Sequence, residues 1–131
     1  MRVLLDTNVV LDALLNRQPF VAEAQQILRA NDQERVSAYN TATTVTDIFY
    51  LARKALGIEP TMKAIRLCLD TLEICAVDSQ TLEAAIKLEG SDFEDNLQIA
   101  CAIASNLDAI VTRNKADFKT TAIPVIEPAE L

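Results

Sequence analysis

The chain of 131 residues contains no histidine, and its two glycines, Gly57 and Gly90, are far apart. Without histidine, neither a Ser-His-Asp triad nor a Cys-His pair can form, so carboxylates must carry any hydrolytic chemistry. Two isolated glycines cannot build a GxGxxG dinucleotide fingerprint or a GxxxxGKS phosphate loop. These absences exclude catalysis through histidine and nucleotide binding by a glycine-rich loop.

Cysteines and long apolar runs are also scarce. Cys68, Cys75 and Cys101 are odd in number, lie among apolar neighbours and form no CxxC pair. We therefore expect reduced, buried thiols rather than a disulfide framework or a zinc site. No apolar run approaches the roughly 20 residues of a membrane span, and the first residues enter a strand-like segment directly. These features predict a soluble, cytoplasmic protein without a membrane segment.

Composition and charge describe an ordinary folded domain with acidic character. Half of the residues are apolar and 24% are charged, and the chain length fits one domain covering residues 1–131. The net charge of −7 argues against unspecific adhesion to nucleic acid, which depends on lysine and arginine. Divalent metals held by clustered carboxylates would nevertheless reverse the local sign where a phosphate approaches.

Short apolar runs alternate with longer segments of helical periodicity. We predict five strands, at residues 3–5, 35–39, 73–77, 109–111 and 123–126. Residues 58–72 form the second arm of a helical hairpin inserted before the third strand, since no strand signal precedes them. Strands that alternate with helices predict an α/β fold, a three-layer α/β/α sandwich around a central parallel five-stranded sheet.

Aspartates stand at the points where this architecture would gather ligands. Asp6 ends the first strand, and Asp117 lies in the loop after residues 109–111. The carboxyl ends of parallel strands meet at one edge of a sheet, so these two carboxylates can approach each other. Asp95 projects from the first turn of a later helix. Asp47 lies inside another helix beside its apolar stripe, because Asn40 or Thr41 is the better cap.

Crowded carboxylates repel one another unless a cation lies between them. Mg²⁺ prefers oxygen ligands, keeps several waters and is commonly held by one or two carboxylates together with substrate phosphates. Two such ions can activate water and stabilise a leaving oxygen. The aspartates therefore indicate a divalent-metal site for phosphate chemistry.

Three segments together carry a family resemblance: LLDTNVVLD at residues 4–12, DFEDNLQIA at 92–100 and IVTRNKADF at 110–118. In this order and spacing, the chain resembles the PIN-domain ribonucleases along essentially its whole length. Small stand-alone proteins of the VapC type are the nearest kind. The resemblance implies an α/β/α sandwich whose acidic pocket binds Mg²⁺ or Mn²⁺ and cuts RNA.

By motif position, the resemblance implies that Asp6, Asp95 and Asp117 are metal ligands and that Asp47 joins them as a catalytic residue. Asp47 stands where the family usually has glutamate, and the missing methylene favours action through a water. The resemblance also assigns supporting roles to three polar residues, Asn8, Thr112 and Asn114. Asn114 occupies a place where many relatives carry aspartate, and this difference weakens the binding of a second metal ion.

The resemblance further implies partners. An RNA substrate is expected, and if the chain is the toxin half of a toxin–antitoxin pair, a small antitoxin would insert a cation near the acidic pocket. A homodimer is usual for such proteins. A catalytically inactive PIN scaffold that binds RNA or protein, and a receiver-like phosphoacceptor, remain alternatives to the nuclease.

Simpler roles exist for each acidic residue. Asp6 and Asp92 could be helix caps, with Asp92 the stronger cap candidate, and Asp95 a partner of the helix dipole. Asp117 could be a turn residue whose loop is anchored by the burial of Phe118. Asp47 could pair with Lys54.

Basic residues surround the predicted site without forming a stripe. They are phosphate contacts or, more simply, a solvated surface: Arg17, Arg53, Lys54, Arg113, Lys115 and Lys119. The tyrosines, Tyr39 and Tyr50, are expected to be packing residues rather than a stacking platform for bases.

Overall fold

A computed structural model of the chain describes residues 1–118 and 121–131. Lys119, one of the predicted phosphate contacts, lies outside the described residues. Five parallel strands form one sheet in the spatial order β3-β2-β1-β4-β5. The strands are β1 (Arg2–Leu5), β2 (Ser37–Thr41), β3 (Glu73–Cys75), β4 (Ala109–Val111) and β5 (Val125–Ile126). The chain reverses its direction of winding between β1 and β4, where open α/β sheets bind their ligands.

Six α-helices cover the sheet in the described part of the chain. They are α1 (Thr7–Leu14), α2 (Val21–Asp32), α3 (Ala42–Leu56), α4 (Ile58–Thr71), α5 (Ser79–Ile86) and α6 (Phe93–Ala104), with short 3-10 helices at Lys115–Phe118 and Pro128–Glu130. Helices α3 and α4 form the predicted hairpin before β3. No described helix combines the length and apolar character that crossing a membrane requires.

Alternating strand residues feed two separate apolar cores. Val3 and Leu5 of β1 point into one core with α1, α2, α3 and α4, whereas Leu4 points into the other with α5 and α6. All three side chains are fully buried, and each such burial stabilises the fold by about 1.5–3 kcal/mol. The predicted three-layer sandwich around a parallel five-stranded sheet is confirmed.

The edges of four predicted strands were wrong, and the first strand begins at Arg2 rather than at residue 3. The second strand begins at Ser37 rather than Arg35, because the backbone N–H groups of Arg35 and Val36 bond the carbonyl of Ala30 and close helix α2. The third strand stops at Cys75 rather than Val77, just before the next helix cap. The fifth strand is limited to Val125–Ile126, preceded by a proline that has no N–H to donate.

The last residues of β2, Asn40 and Thr41, lie at the carboxyl end of the strand. Thr41 is the N-cap of α3, since its side chain accepts a hydrogen bond from the Thr44 N–H at 3.1 Å. Asn40 instead lies in the strand, and its Nδ2 donates to the Leu5 carbonyl at 3.1 Å. Of the two predicted caps, Thr41 is therefore the one used. The three cysteines are free and buried, as predicted.

Candidate active site

A pocket of about 440 Å³ opens at the carboxyl ends of β1 and β4, beside α3 and the start of α6. Its acidic lining consists of six side chains, Asp6, Asp47, Asp92, Glu94, Asp95 and Asp117. Among the described residues, no lysine or arginine lines it. The fold thus brings four aspartates that are far apart in the sequence, the predicted Asp6, Asp47, Asp95 and Asp117, to one cavity.

Asp6 occupies the N-cap position of α1, but its side chain forms no capping hydrogen bond. Its Oδ1 accepts a hydrogen bond from Nε2 of Gln98 at 3.0 Å, and its Oδ2 accepts one from the Thr112 hydroxyl at 2.8 Å. The Asp6 side chain is only 7% exposed. The capping role is therefore wrong for this carboxylate, which is held between α6 and the end of β4 by neutral donors.

Asp92 and Asp95 have different roles at the start of α6. Asp92 caps the helix as predicted, since its Oδ1 accepts a hydrogen bond from the Asp95 N–H at 3.1 Å. Burial, followed by the charges of Asp92, Asp6, Asp117 and Glu94, raises the pKa of Asp95 from 3.8 to about 7. The site accumulates negative charge that a cation would relieve.

Asp47 and Glu94 lie near each other across the pocket, one on α3 and one on α6. Burial raises the pKa of Asp47, and the Asp47 charge is the first cause that raises the pKa of Glu94. Within the described residues Asp47 forms no salt bridge, so the predicted pairing with Lys54 is absent from them. Glu94 was missed from the sequence, although its place beside Asp95 in the first turn is a readable signal.

The loop after β4, residues 112–118, brings the remaining predicted residues to the site. The Thr112 hydroxyl accepts a hydrogen bond from the Asn114 N–H at 3.0 Å while it donates to Asp6. Asp117 is exposed in the 3-10 helix, and Phe118 beside it is 2% exposed and anchors the loop, as predicted. Asn8 and Asn114 both line the pocket.

Gln98 is a pocket residue that the sequence reasoning missed. Its side chain is 6% exposed, and its Oε1 is buried without a hydrogen-bond partner among the described residues. A signal existed, because Gln98 is a polar amide within the otherwise apolar run that ends α6. An unpartnered buried acceptor in a pocket of carboxylates calls for a donor such as water.

The donor set suits Mg²⁺ or Mn²⁺, which prefer oxygen ligands. No three histidine, cysteine or acidic side chains of the described residues converge closely enough to hold a metal ion as placed. Mg²⁺ does not require such convergence, because it keeps several waters and is commonly bound through one or two carboxylates. The charge crowding at Asp95 and the free acceptor of Gln98 agree with a hydrated cation.

Three of the predicted phosphate contacts lie against carboxylates of the protein instead. Arg113 donates from Nε and Nη2 to Asp12 at 2.7 and 3.2 Å, and its guanidinium lies 3.9 Å from the centre of the Phe20 ring. Arg17 lies 3.7 Å from the same Asp12, and Lys115 pairs with Glu130 at 2.9 Å. These three cations face carboxylates of the protein rather than an open phosphate site.

Tyr50 differs from its predicted packing role. It lines the pocket with a 57% exposed side chain, and the guanidinium of Arg53 lies 4.9 Å from its ring centre. Tyr39 does pack, and its hydroxyl accepts hydrogen bonds from the Arg2 guanidinium at 3.1 and 3.2 Å. The rim of the acidic pocket therefore carries one exposed aromatic ring with a cation over it.

A comparison with known protein families and solved structures identifies the family of this chain. The sequence matches the family model of the PIN domain over residues 2–116, which is most of the chain. The chain belongs to the PIN-domain family. This PIN domain is similar to the DNA-bound VapBC structure from Salmonella typhimurium, with a TM-score of 0.76, 17% identity and 98% of both chains covered.

Two further structures are similar to this PIN domain. A toxin–antitoxin complex from Klebsiella pneumoniae matches with a TM-score of 0.71 and 26% identity over 96% of this chain and 97% of that one. VapC20 of Mycobacterium tuberculosis, a Sarcin-Ricin loop cleaving toxin, matches with a TM-score of 0.66 and 11% identity over 82% and 86%. No curated protein gives a significant match.

The comparisons confirm the predicted family and fold. The receiver-like alternative is wrong, because the PIN-domain family model matches residues 2–116, which is most of the chain.

Proposed function

We propose that this PIN domain is a divalent-metal-dependent endoribonuclease and the toxin half of a toxin–antitoxin pair. The observation that carries the proposal is the pocket in which six acidic side chains gather without a described lysine or arginine. Such a lining repels RNA by itself, so a bound cation is needed before a phosphate can enter.

Asp6, Asp95 and Asp117 are the proposed ligands of Mg²⁺ or Mn²⁺, and Asp47 is proposed to act through a water. The ion, when bound, would acidify the attacking water and offset the negative charge that develops on the scissile phosphate. Asp47 extends from α3 into the pocket, where it can orient that water by hydrogen bonding. The pKa of Asp95 is raised first by burial and then by the neighbouring carboxylates, whose charge a bound cation would offset.

Other residues of the chain hold this arrangement in place. Thr112 and Gln98 each donate to one oxygen of Asp6, which fixes the orientation of that carboxylate. Asn8 and Asn114 line the pocket and are proposed to hydrogen-bond its waters or the substrate. Because the pocket lies at the sheet edge beside an exposed ring, Tyr50, a nucleotide base can stack there while its phosphate meets the acidic residues.

The similar structures support the choice of RNA and of an antitoxin partner. VapC20 is a Sarcin-Ricin loop cleaving toxin, and the Salmonella structure is VapBC bound to DNA. By analogy, we propose an RNA substrate, a cognate antitoxin that covers the acidic pocket, and a homodimer.

The test is RNA cleavage by purified protein during a Mg²⁺ titration. Asp6→Asn and Asp95→Asn should each lower the cleavage rate more than about a hundredfold, since changes in residues that only support metal ligands cost 10–100-fold. The matched control is Asp70→Asn, at an exposed residue of α4 paired with Arg66. Melting curves should show that all three variants are folded. Full activity in either site variant would overturn the assignment.

A binding scaffold without catalysis is the second candidate. It is favoured by the lack of three converging acidic ligands among the described residues. It is also favoured by Asp47, which stands where the family usually has the longer glutamate, and by Asn114, which stands where many relatives carry aspartate. Calorimetry separates the two functions. Absence of Mg²⁺ and Mn²⁺ uptake at millimolar concentration, together with intact RNA, would establish the scaffold.

A further inference from the structure

The shortest ion pair among the described residues lies outside the acidic pocket. Asp12 is 1% exposed and accepts two hydrogen bonds from one guanidinium, that of Arg113. The Arg113 side chain is 23% exposed and lies over the Phe20 ring. A fork of this kind fixes the direction of both side chains as well as their distance. We call Asp12, Arg113 and Phe20 the clamp.

The clamp joins the two segments that carry the site. Asp12 lies on α1, whose N-cap is Asp6. Arg113 stands between Thr112, which donates to Asp6, and Asn114, which lines the pocket. The far end of the same loop is anchored by the buried Phe118. The clamp therefore anchors the near end of the loop that also presents Asp117.

We propose that Arg113 is a positioning residue that sets the geometry of the acidic site by tying the 112–118 loop to helix α1. The inference rests on the proposed function, because it gives Arg113 a task in metal binding and RNA cleavage. Arg113 is not a phosphate contact, since two of its donor atoms face Asp12. Lysine could not replace it, because an ammonium has neither the planar fork nor the flat face that stacks on Phe20.

The test separates positioning from stability. Among the described residues, Arg113→Met alone leaves the buried Asp12 with only the more distant Arg17, and should lower the melting temperature by about 10 °C. The double variant Asp12→Leu/Arg113→Met replaces the pair with apolar side chains, and should restore the melting temperature to within about 3 °C of the wild type. The matched control is Arg66→Met, which removes an exposed arginine of α4.

Two readouts follow the site in these proteins: Mn²⁺ affinity by calorimetry, and kcat and KM for RNA cleavage. The stable double variant should lose about tenfold or more in Mn²⁺ affinity and in kcat, with KM changed less than about twofold. Arg113→Lys should recover little of the loss, and Arg66→Met should match the wild type.

The outcomes distinguish the two proposals. A double variant with wild-type Mn²⁺ affinity and kcat would show that the clamp is structural only and would overturn the inference. A wild-type protein that binds Mn²⁺ but cuts no RNA would overturn the proposed function, while the Mn²⁺ affinities would still decide on the clamp. A wild-type protein that neither binds Mn²⁺ nor cuts RNA would overturn both.

Discussion

Asp6 and Asp12 are both buried aspartates, six positions apart at the start and near the end of the same helix, yet their surroundings are opposite. Asp12 has its charge matched by Arg113 at 2.7 Å and Arg17 at 3.7 Å. Among the described residues, the Asp6 side chain accepts hydrogen bonds from the neutral donors Gln98 and Thr112 only, in a pocket with five further acidic residues. One carboxylate is neutralised by the protein, and we propose that the other is neutralised by a cation. Burial alone therefore does not distinguish a structural carboxylate from a functional one, whereas the charge of its partners does.

The largest expected effect on stability is at Asp12. Asp12→Ala should lower the free energy of unfolding by about 3–5 kcal/mol, because it removes one partner of a buried ion pair. Urea denaturation measures this change. Asp6→Asn should leave the unfolding free energy close to that of the wild type. The new asparagine can hydrogen-bond to Gln98 once the side-chain amide of Gln98 has rotated. Equal losses at the two positions would contradict the contrast between them.

Gln98→Met sharpens the description of Asp6. Methionine has a similar length but cannot donate to Oδ1, so the Asp6 carboxylate loses one of its two fixed hydrogen bonds. Mn²⁺ affinity measured by calorimetry should fall about tenfold, the size expected for residues that orient metal ligands. The matched control is Gln26→Met, the same change on an exposed face of α2. Unchanged affinity in Gln98→Met would show that Thr112 alone orients Asp6.

Asp95 should impose a pH dependence on the stability of the metal-free protein. Its pKa is raised from 3.8 to about 7, mainly by burial and then by neighbouring carboxylates. The folded form therefore keeps a proton that the unfolded chain releases, and this contribution to stability is lost as the pH rises from 3.8 to about 7. Thermal unfolding should show the wild type losing stability over this window relative to Asp95→Asn.

Saturating Mg²⁺ should reduce that difference, because a cation replaces the proton in offsetting the charge. Asp70→Asn, at an exposed position, should keep the wild-type pH profile. If Asp95→Asn has the same pH profile as the wild type, the raised pKa of Asp95 is refuted.

The smallest expected effect is at Asp92. Asparagine caps helices about as well as aspartate, so Asp92→Asn should change the unfolding free energy by only a few tenths of a kcal/mol. It removes the negative charge that ranks second among the causes of the raised Asp95 pKa. That pKa should move down slightly, as followed by NMR titration of the Asp95 carboxyl carbon. An upward movement would contradict the proposed arrangement of charge.

The sequence was sufficient for the sheet and for the gathering of the four aspartates. Asp6 ends one strand and Asp117 follows another, and parallel strands bring such ends to one edge whatever the details of packing. The strand limits were harder, because the exit of α2 at residues 35 and 36 depends on hydrogen bonds to Ala30. The local sequence pattern does not show that residues 35 and 36 bond to helix α2 rather than to the sheet.

Side-chain partnerships were beyond sequence reasoning. Gln98 reaches Asp6 across 92 positions, and Arg113 reaches Asp12 across 101. Each contact depends on the rotation of a helix about its axis and on the register of β1 against β4. For the same reason the sequence left Arg113 as either a phosphate contact or a solvated surface residue, although its guanidinium belongs to the clamp.

The central claim is that the Asp6 pocket, and not the neutralised Asp12, is the place for a divalent cation. A calorimetric titration of the metal-free protein with Mn²⁺ tests it most directly, with Asp6→Asn titrated alongside. We predict saturable Mn²⁺ binding by the wild type at millimolar concentration or below, and a loss of more than about tenfold in affinity in Asp6→Asn. Undetectable binding by the wild type, or equal binding by both proteins, would contradict the account.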